Sequence, residues 1–166
     1  MVNIEAKDFP IEGLEATGQD VKVHVPREAE RRSYNLFGDQ HGSIIVDGDG
    51  DGIAHRAGDG YGNAWRAGAG NGDAWRVGDG NGDAWRDGAG AGDACRDGDG
   101  YGDARRAGEG LGNAYRWGDG DGYGDAFRYG DGNGDAYRDG DGNGSAYRYG
   151  AGDGNAYRNG EIEEVE

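Results

Sequence analysis

Residues 68–87 read Gly68-Ala-Gly-Asn-Gly-Asp-Ala-Trp-Arg-Val77 and Gly78-Asp-Gly-Asn-Gly-Asp-Ala-Trp-Arg-Asp87, two nearly identical decapeptides in tandem. The same unit, of the form G-D-G-x-G-D-A-[WY]-R-x, runs in eleven copies over residues 48–159. One copy, residues 118–129, carries two extra residues, and the other ten keep their register. Self-similarity at a fixed period is typical of repeat proteins, whose units bury surface only by stacking on their neighbours.

Each of the ten slots of the repeat follows its own rule. Slots one, three and five are always glycine, slot seven is always alanine and slot nine is always arginine. Slot six is Asp or Asn in nine copies, slot eight is aromatic in eight, and slot two is mostly acidic. Glycine at every second position would cost a helix about 1 kcal/mol per residue, so the array is predicted to form β-strands.

The predicted fold is all-β: a thin β-solenoid of eleven coils, each about ten residues long, with glycine and alanine in its core. Ten residues trace only about 33 Å of chain, too tight a loop to enclose large side chains. Eleven coils about 4.8 Å apart would make a rod on the order of 50 Å long. A guanidinium group cannot lie bare in such an interior, so slot nine is expected at a corner, where it meets the aspartates of slots two and six.

Two ladders of side chains follow from this stacking. The aromatic ladder is the candidate binding face, an amphipathic strip on one side of the rod. Its members are Trp65, Trp75, Trp85, Tyr115, Phe127, Tyr137, Tyr147 and Tyr157. Cys95 and Arg105 interrupt it, and the same rings could instead serve only to stabilise the stack. The structural ladder of slot nine is Arg56, Arg66, Arg76, Arg86, Arg96, Arg106, Arg116, Arg128, Arg138, Arg148 and Arg158.

The segments on either side of the array have different compositions. Residues 1–47 hold most of the Ile and Val and are predicted to form an N-terminal cap, or a segment that docks the rod onto something larger. Residues 160–166 form an acidic C-terminal tail or cap that discourages end-to-end joining. The three predicted parts are therefore 1–47, 48–159 and 160–166.

Composition limits the function. The 166 residues include 39 glycines and carry a formal charge of −16, and Leu, Ile, Val and Phe make up only about 11 % of them, a composition typical of disordered chains. The fixed slots argue instead for a coil too narrow for larger residues. The acidic charge disfavours phosphate-type nucleic-acid binding, and one cysteine excludes an internal disulfide. The N-terminal residues resemble neither a signal peptide nor a membrane span, so we expect cytoplasmic synthesis without membrane association.

The sequence gives little evidence for a metal site or a catalytic site. Asp47, Asp49 and Asp51 follow the opening of an EF-hand loop, but the twelfth position is Gly58 where a bidentate Glu is needed. They are only weak calcium candidates, and no metal or other cofactor is expected. The array offers no nucleophile with a convergent base, so we predict a protein that is not an enzyme.

The GDGxGDA[WY]Rx array resembles the glycine-rich decapeptide-repeat proteins encoded in bacteriophage genomes. The resemblance covers residues 48–159 and implies a virion fibre, a spacer or an accessory protein, without identifying a functional residue. A ten-residue coil with a tyrosine file also resembles the antifreeze solenoids of midges, which carry a cysteine pair in each coil that this chain lacks.

The predicted function is that of a structural or binding solenoid whose partner is an unknown protein, a glycan, a larger virion assembly or a second copy of the chain. Three alternatives stay open: an ice-binding protein that uses the aromatic face, an acidic mimic of DNA, and a calcium-binding repeat protein. The regular Arg file argues against mimicry, because it offsets much of the acidic charge of the array.

Overall fold

The array and the residues before it form one parallel β-solenoid of two sheets. The computed structural model describes residues 1–118, 123–140, 143–151 and 153–159, and the backbone of 161–162. Odd-numbered strands make an eight-stranded sheet, the odd sheet, and even-numbered strands with the last strand make a nine-stranded sheet, the even sheet. Apart from one 3-10 turn at Ala6–Asp8, the described elements are strands. In this part of the chain no helix is long and apolar enough to cross a membrane.

The strands are short and evenly spaced. Those of the odd sheet are β1 (Val2–Glu5), β3 (Val21–His24), β5 (Ile44–Asp47), β7 (Ala64–Ala67), β9 (Ala84–Asp87), β11 (Ala104–Ala107), β13 (Ala126–Tyr129) and β15 (Ala146–Tyr149). Those of the even sheet are β2 (Leu14–Glu15), β4 (Arg32–Phe37), β6 (Gly52–Ala57), β8 (Ala74–Val77), β10 (Ala94–Asp97), β12 (Ala114–Trp117), β14 (Ala136–Asp139), β16 (Ala156–Arg158) and β17 (Glu161–Ile162).

A coil contains two decapeptides, which corrects the predicted ten-residue coil. Ala84 pairs with Ala104 and Ala74 with Ala94, twenty residues apart in both sheets. Across the copy with two extra residues the spacing becomes twenty-two, as in the pairing of Ala104 with Ala126, and the strands on either side stay in register. The solenoid thus has about eight coils in place of eleven, and a length of about 40 Å.

The physical reason is that one decapeptide supplies one strand and one turn. Slots seven to ten form the strand, and slots one to six form the turn that carries the chain to the opposite sheet. A flattened coil needs two strands and two turns to close. Side chains alternate along each strand, so that slots seven and nine face the lumen and slots eight and ten face outward.

Glycine slots one, three and five are explained by close approach of successive coils. A Cβ atom on Gly70 would lie 2.3 Å from the carbonyl oxygen of Gly50, one coil earlier. A Cβ atom on Gly68 would likewise lie too close to a backbone carbonyl oxygen of the preceding coil. The φ of Gly68, +113°, also lies in the region that favours glycine. The expectation that no larger residue fits these slots is confirmed.

Residues 1–47 build the first coils of the same two sheets, with a different lumen. Val46 occupies the register position of Arg66, and Leu36 that of Arg56. These positions and their neighbours form an apolar cluster with Phe9, where every member is at most 6 % exposed. The lumen therefore changes from apolar side chains to alanine and arginine where the array begins, and the capping role of the segment stays a prediction.

The C-terminal tail is described only at its start. The backbone of β17 pairs antiparallel with β16, which ends the parallel stacking of the even sheet. Residues 160 and 163–166 of the predicted tail lie outside the described residues.

The alanine of slot seven gives a direct test of the closed lumen. Ala104 is fully buried, whereas Ala107 of the same strand faces outward and is only partly buried. We expect Ala104→Leu to lower the free energy of unfolding by about 2 kcal/mol, because three added carbon atoms must displace packed neighbours. Ala107→Leu, the matched control, should change it by less than about 0.5 kcal/mol in urea titrations. Equal effects of the two variants would contradict this lumen.

Candidate functional site

Ten arginines of slot nine lie inside the solenoid. From Arg56 to Arg138 they are at most 1 % exposed, and Arg148 near the C-terminal end is 8 % exposed. Slots seven and nine have the same strand parity, so the arginine shares the lumen with the alanine. The expectation that these guanidinium groups lie at a corner beside aspartates is wrong for all ten, and only Arg158, in the last described coil, is exposed.

Backbone carbonyl groups take the place of carboxylates as partners. Arg96 donates from Nε to the Gly82 oxygen at 2.9 Å, from Nη2 to Gly80 at 2.9 Å, and from Nη1 to Asp97 beside it. The acceptors therefore come from slots five and three of a turn in a neighbouring coil and from slot ten of the same strand. Five N–H donors in a rigid fork suit the guanidinium group to this set of fixed oxygens.

Some of these groups bond to the turns of two successive coils. Arg76 donates from Nη2 to Gly60 at 2.8 Å and to Gly80 at 2.9 Å, and these two glycines lie one coil apart. Arg128 makes the equivalent pair of bonds to Gly110 and Gly132, each at 2.8 Å. The arginine file thus links neighbouring coils through their turns as well as filling the lumen.

Burial weakens the basicity of these groups without discharging them. Loss of hydration, reinforced by neighbouring arginines of the same sheet, lowers the pKa of Arg76, Arg96 and Arg116 to about 10. That pKa is still well above neutral pH, so the guanidinium groups remain cationic donors. Several aspartates around the coil favour the charged form at longer range, Asp59 and Asp79 in the case of Arg76.

The aspartates of the turns bind backbone N–H groups of the next coil. In slot two, Asp59 accepts from the N–H of Asp79 at 3.1 Å, and Asp79 accepts from that of Asp99 at 3.2 Å. Slot six repeats the pattern, with the Asp73 carboxylate accepting from the N–H of Asp93 at 3.0 Å. Arginine thus satisfies carbonyl oxygens and aspartate satisfies N–H groups, so both charged ladders stabilise the same backbone stack.

This arrangement changes the surface electrostatics expected from the sequence. The slot-two aspartates that the structure describes, such as Asp59 and Asp99, are exposed, whereas the ten arginines expected to neutralise them are enclosed by the sheets. A partner at the surface therefore meets carboxylates without an intervening Arg file. The buried arginines remain cationic and still offset acidic charge of the array, but they do not pair with the aspartates at its surface.

The candidate aromatic face divides into two faces on opposite sides of the solenoid. Because successive decapeptides alternate between the sheets, slot eight points outward from the odd sheet in one copy and from the even sheet in the next. The odd sheet carries Trp65, Trp85, Phe127 and Tyr147, and the even sheet carries Trp75, Tyr115, Tyr137 and Tyr157. The single predicted file is therefore wrong as a geometry, although each half is a regular row.

Rings within a row are stacked along the solenoid axis. On the even sheet the Tyr115 and Tyr137 centroids lie 5.0 Å apart with planes 8° from parallel, and Tyr137 and Tyr157 lie 4.9 Å apart at 8°. Coplanar rings at such distances would overlap, so their faces must be offset over one another. The rings therefore turn their edges outward, a geometry that disfavours stacking of sugar rings on their faces.

Arg105 continues the row of the odd sheet instead of interrupting it. Its guanidinium carbon lies 4.8 Å from the Trp85 ring centroid and 5.4 Å from that of Phe127. A planar cation between two rings substitutes for a third ring. Its Nη2 also contacts Asp103 at 2.5 Å, the Arg–Asp pairing that the sequence predicted for slot nine.

Slot six anchors the polar tips of slot eight. Trp85 donates from Nε1 to Asp83 at 3.2 Å, and the Tyr137 hydroxyl donates to Asp135 at 2.7 Å, which raises the pKa of that tyrosine. Where slot six is Asn113, its amide donates instead to the Tyr115 hydroxyl at 2.6 Å. One oxygen of a slot-six side chain thus accepts from a backbone N–H of the next coil. Its other polar atom bonds to the slot-eight side chain two residues later in its own strand region.

Cys95 lies in the even-sheet row between Trp75 and Tyr115 and is 1 % exposed. Burial raises the pKa of its thiol, with nearby carboxylates acting in the same direction. This thiol is therefore protonated and covered at neutral pH.

The weak calcium candidates do not converge. Asp47 lies on the outer face of β5, where it contacts Lys22 at 2.8 Å and His24 at 3.1 Å. Asp49 and Asp51 lie in the following turn and accept from the N–H groups of Ala69 and Asn71. Over the described ranges of the chain, no group of three or more His, Cys, Asp or Glu side chains is placed to hold a metal ion.

Sequence reasoning missed a cavity at the N-terminal end. It has a volume of about 470 Å³ and is lined by Glu5, Lys7, Pro26, Ala29, Arg32 and Tyr34, among others. Arg32 lies 4.9 Å from the Tyr34 ring centroid and donates to the carbonyl of Phe9 at 2.6 Å. No motif in residues 1–47 marks these residues, because the loops that bring them together have no repeat.

Comparison with known proteins identified no matching family model, no matching curated protein and no matching solved structure.

Proposed function

We propose that the chain is a non-enzymatic structural solenoid, a rigid spacer whose outward rows provide a binding surface. The observation that carries the proposal is the coil-to-coil bonding of the arginine file, illustrated by Arg76 between Gly60 and Gly80. Together with the aspartate bonds of slots two and six, it commits most charged side chains of the array to the backbone. Such a chain resists bending at every coil.

Stiffness can be measured as a distance distribution. Ala69 and Ala151 are exposed slot-two residues in the same row of turns, four coils apart. Spin labels are attached at Ala69→Cys and Ala151→Cys in a Cys95→Ser background. Double electron–electron resonance should then give a single narrow distance distribution, centred on a backbone separation of about 19 Å plus the length of the two label side chains. A broad distribution in the folded protein would contradict a rigid spacer.

A fibre or virion role adds a prediction about assembly. The resemblance to phage-encoded decapeptide arrays supports self-association or attachment to a larger particle. Self-association predicts an oligomer in light scattering after size exclusion. Attachment predicts a partner that is retained on purification. A lone monomer over a wide concentration range would contradict self-assembly. Co-purification would then test the other form of this role, attachment to a partner.

The even-sheet tyrosine row favours ice binding as a second candidate. Tyr115, Tyr137 and Tyr157 repeat at 4.9 to 5.0 Å with parallel planes, a regular surface able to order water. This role predicts thermal hysteresis that Tyr137→Ala abolishes and that Tyr147→Ala, on the opposite face, leaves in place. Absence of hysteresis in the folded, unmodified protein would rule it out.

A further inference from the structure

Tyrosines of the C-terminal half are arranged as pairs across successive coils. Eight of the ten tyrosines in the chain stack on at least one other tyrosine. They are Tyr101, Tyr115, Tyr123, Tyr129, Tyr137, Tyr147, Tyr149 and Tyr157. Of the other two, Tyr34 is buried beside Phe9, and Tyr61 contacts His41.

Two of these pairs are well exposed. Tyr101 and Tyr123 lie on a turn edge, 54 % and 50 % exposed, with ring centroids 5.3 Å apart and planes 10° from parallel. Tyr129 and Tyr149 occupy slot ten of the odd sheet, 37 % and 43 % exposed, at 5.3 Å and 9°. Both pairs join residues one coil apart, so their backbones are held at the strand spacing of about 4.8 Å.

Proximity of this kind converts a bimolecular coupling into an intramolecular one. A phenoxyl radical normally has to meet a second radical by diffusion. Here the two rings already lie in nearly parallel planes with centroids 5.3 Å apart at the surface, where an oxidant can reach them, and exposed side chains can rotate to bring their ortho carbons together.

We propose that the paired tyrosines, Tyr101 with Tyr123 and Tyr129 with Tyr149, are sites of oxidative dityrosine cross-linking between successive coils. The co-substrate is hydrogen peroxide, which a haem peroxidase reduces by two electrons while it oxidises two phenols by one electron each. Each phenol loses one electron and one proton, and the two radicals form a Cε–Cε bond. The hydrogens on the two bonded carbons then move to the oxygens, so that two tyrosines and one hydrogen peroxide give one dityrosine and two waters.

The cross-link would fasten neighbouring coils covalently on the outside of the rod. A bond between residues twenty or twenty-two positions apart restricts the unfolded chain in the way that a disulfide does. A modified rod should therefore resist heat better than the unmodified one. This inference does not depend on the proposed spacer function, because it concerns the reactivity of the side chains alone.

The first pair can be tested without ambiguity by peptide mapping. The full-length protein at low micromolar concentration is treated with horseradish peroxidase and hydrogen peroxide, then denatured and digested with trypsin. Peptides 97–105 and 117–128 each contain a single tyrosine, Tyr101 and Tyr123. We expect these two peptides joined with the loss of two hydrogen masses, the characteristic dityrosine fluorescence, and a higher melting temperature.

Tyr61 is the matched control, since it is 55 % exposed but its register neighbour is Asn81. Its peptide, 57–66, should not appear among the intramolecular cross-links, and Tyr123→Phe should remove the joined species while leaving the melting temperature of the untreated protein nearly unchanged. The proposal is overturned if Tyr61 couples as readily as Tyr101, if the products are intermolecular only, or if protein unfolded in urea gives the same yield of the 97–105 to 117–128 species.

Discussion

Replacement of Arg106 by alanine should lower the free energy of unfolding by about 4 kcal/mol. Arg106 is fully buried and donates to the carbonyl oxygens of Gly88 at 3.2 Å, Gly90 at 2.8 Å and Ala107. Its removal leaves the carbonyl oxygens of Gly88 and Gly90 without this donor and opens a cavity the size of a guanidinium and its stem, while the Ala107 oxygen still accepts from the Gly88 N–H at 3.2 Å. Relief from burying a charge offsets part of the loss, but buried oxygens without a donor cost about 1 to 3 kcal/mol each.

The adjacent residue provides the control for this experiment. Arg105 belongs to the same strand but points outward, with its side chain 35 % exposed beside Asp103. A partly exposed ion pair and the cation–π contacts with Trp85 and Phe127 contribute modestly, so Arg105→Ala should cost about 1 kcal/mol, well below the loss for Arg106→Ala. Urea unfolding of both variants and of the parent protein compares an inward and an outward arginine one residue apart.

Arg106→Lys refines the result. A lysine keeps the positive charge and donates three hydrogen bonds from one nitrogen, but it cannot reach three separated oxygens with a planar fork. We expect a loss of about 2 kcal/mol, between the two alanine variants. Equal losses for Arg105→Ala and Arg106→Ala would mean that slot nine is not enclosed.

Replacement of Gly80 by alanine should destabilise the protein by about 3 kcal/mol. A Cβ atom at this position would lie 2.0 Å from the carbonyl oxygen of Asp59 and 2.5 Å from that of Gly60. Both obstacles are backbone, so the coils themselves must separate. The carbonyl of Gly80 also accepts from Arg76 and Arg96, and a shift of the turn disturbs both of these bonds.

Gly18 separates this steric effect from backbone strain. Its φ of +82° is unfavourable for other residues, yet nothing lies within 4 Å of the position of its Cβ. Gly18→Ala should therefore cost only about 1 kcal/mol, the strain of a left-handed residue. If thermal and urea unfolding give the two variants the same loss, contact between coils is not what requires glycine in slot three.

Much of the fold could be predicted because the repeat fixes each slot. The alternation of glycine and alanine predicted strands and a narrow lumen, which agrees with the buried Ala104. The constant glycines, expected at inward strand positions, lie instead in the turns, where successive coils approach closely at Gly70. The coil length could not be obtained from the ten-residue period alone. A period describes one strand and one turn, and the number of turns that closes a coil depends on geometry that the repeat does not encode.

A weak signal of the twenty-residue coil was nevertheless present. Slot two is Asp at residues 59, 79 and 99 but Ala at 69 and 89, an alternation with a period of two decapeptides that is confined to the middle of the array, because Asp49 and Glu109 lie in the row of the alanines. Slot nine has the same parity as slot seven, but the residue pattern shows no partner for a guanidinium inside the coil and so predicts a corner position. The partners are backbone acceptors of the glycine turns, whose carbonyl oxygens face the lumen without side chains in between.

The candidate site was predictable in its members but not in its layout. The eight aromatic residues do form rows, but assigning them to two faces required the coil length. The stacking of Arg105 between Trp85 and Phe127 also could not be predicted, because it depends on register across twenty and twenty-two residues.

The central claim, that a coil contains two decapeptides and that rows run at intervals of twenty residues, can be tested with the native Cys95. Trp75 is the register partner of Cys95, and neighbouring strands about 4.8 Å apart lie within the range that a disulfide spans. Trp85, ten residues before Cys95, belongs to the opposite sheet. The measurement is the number of free thiols after mild copper–phenanthroline oxidation of dilute Trp75→Cys and Trp85→Cys proteins. We predict that Trp75→Cys loses both thiols to an intramolecular disulfide while Trp85→Cys retains two. Closure of the disulfide in Trp85→Cys but not in Trp75→Cys would contradict the two-decapeptide coil.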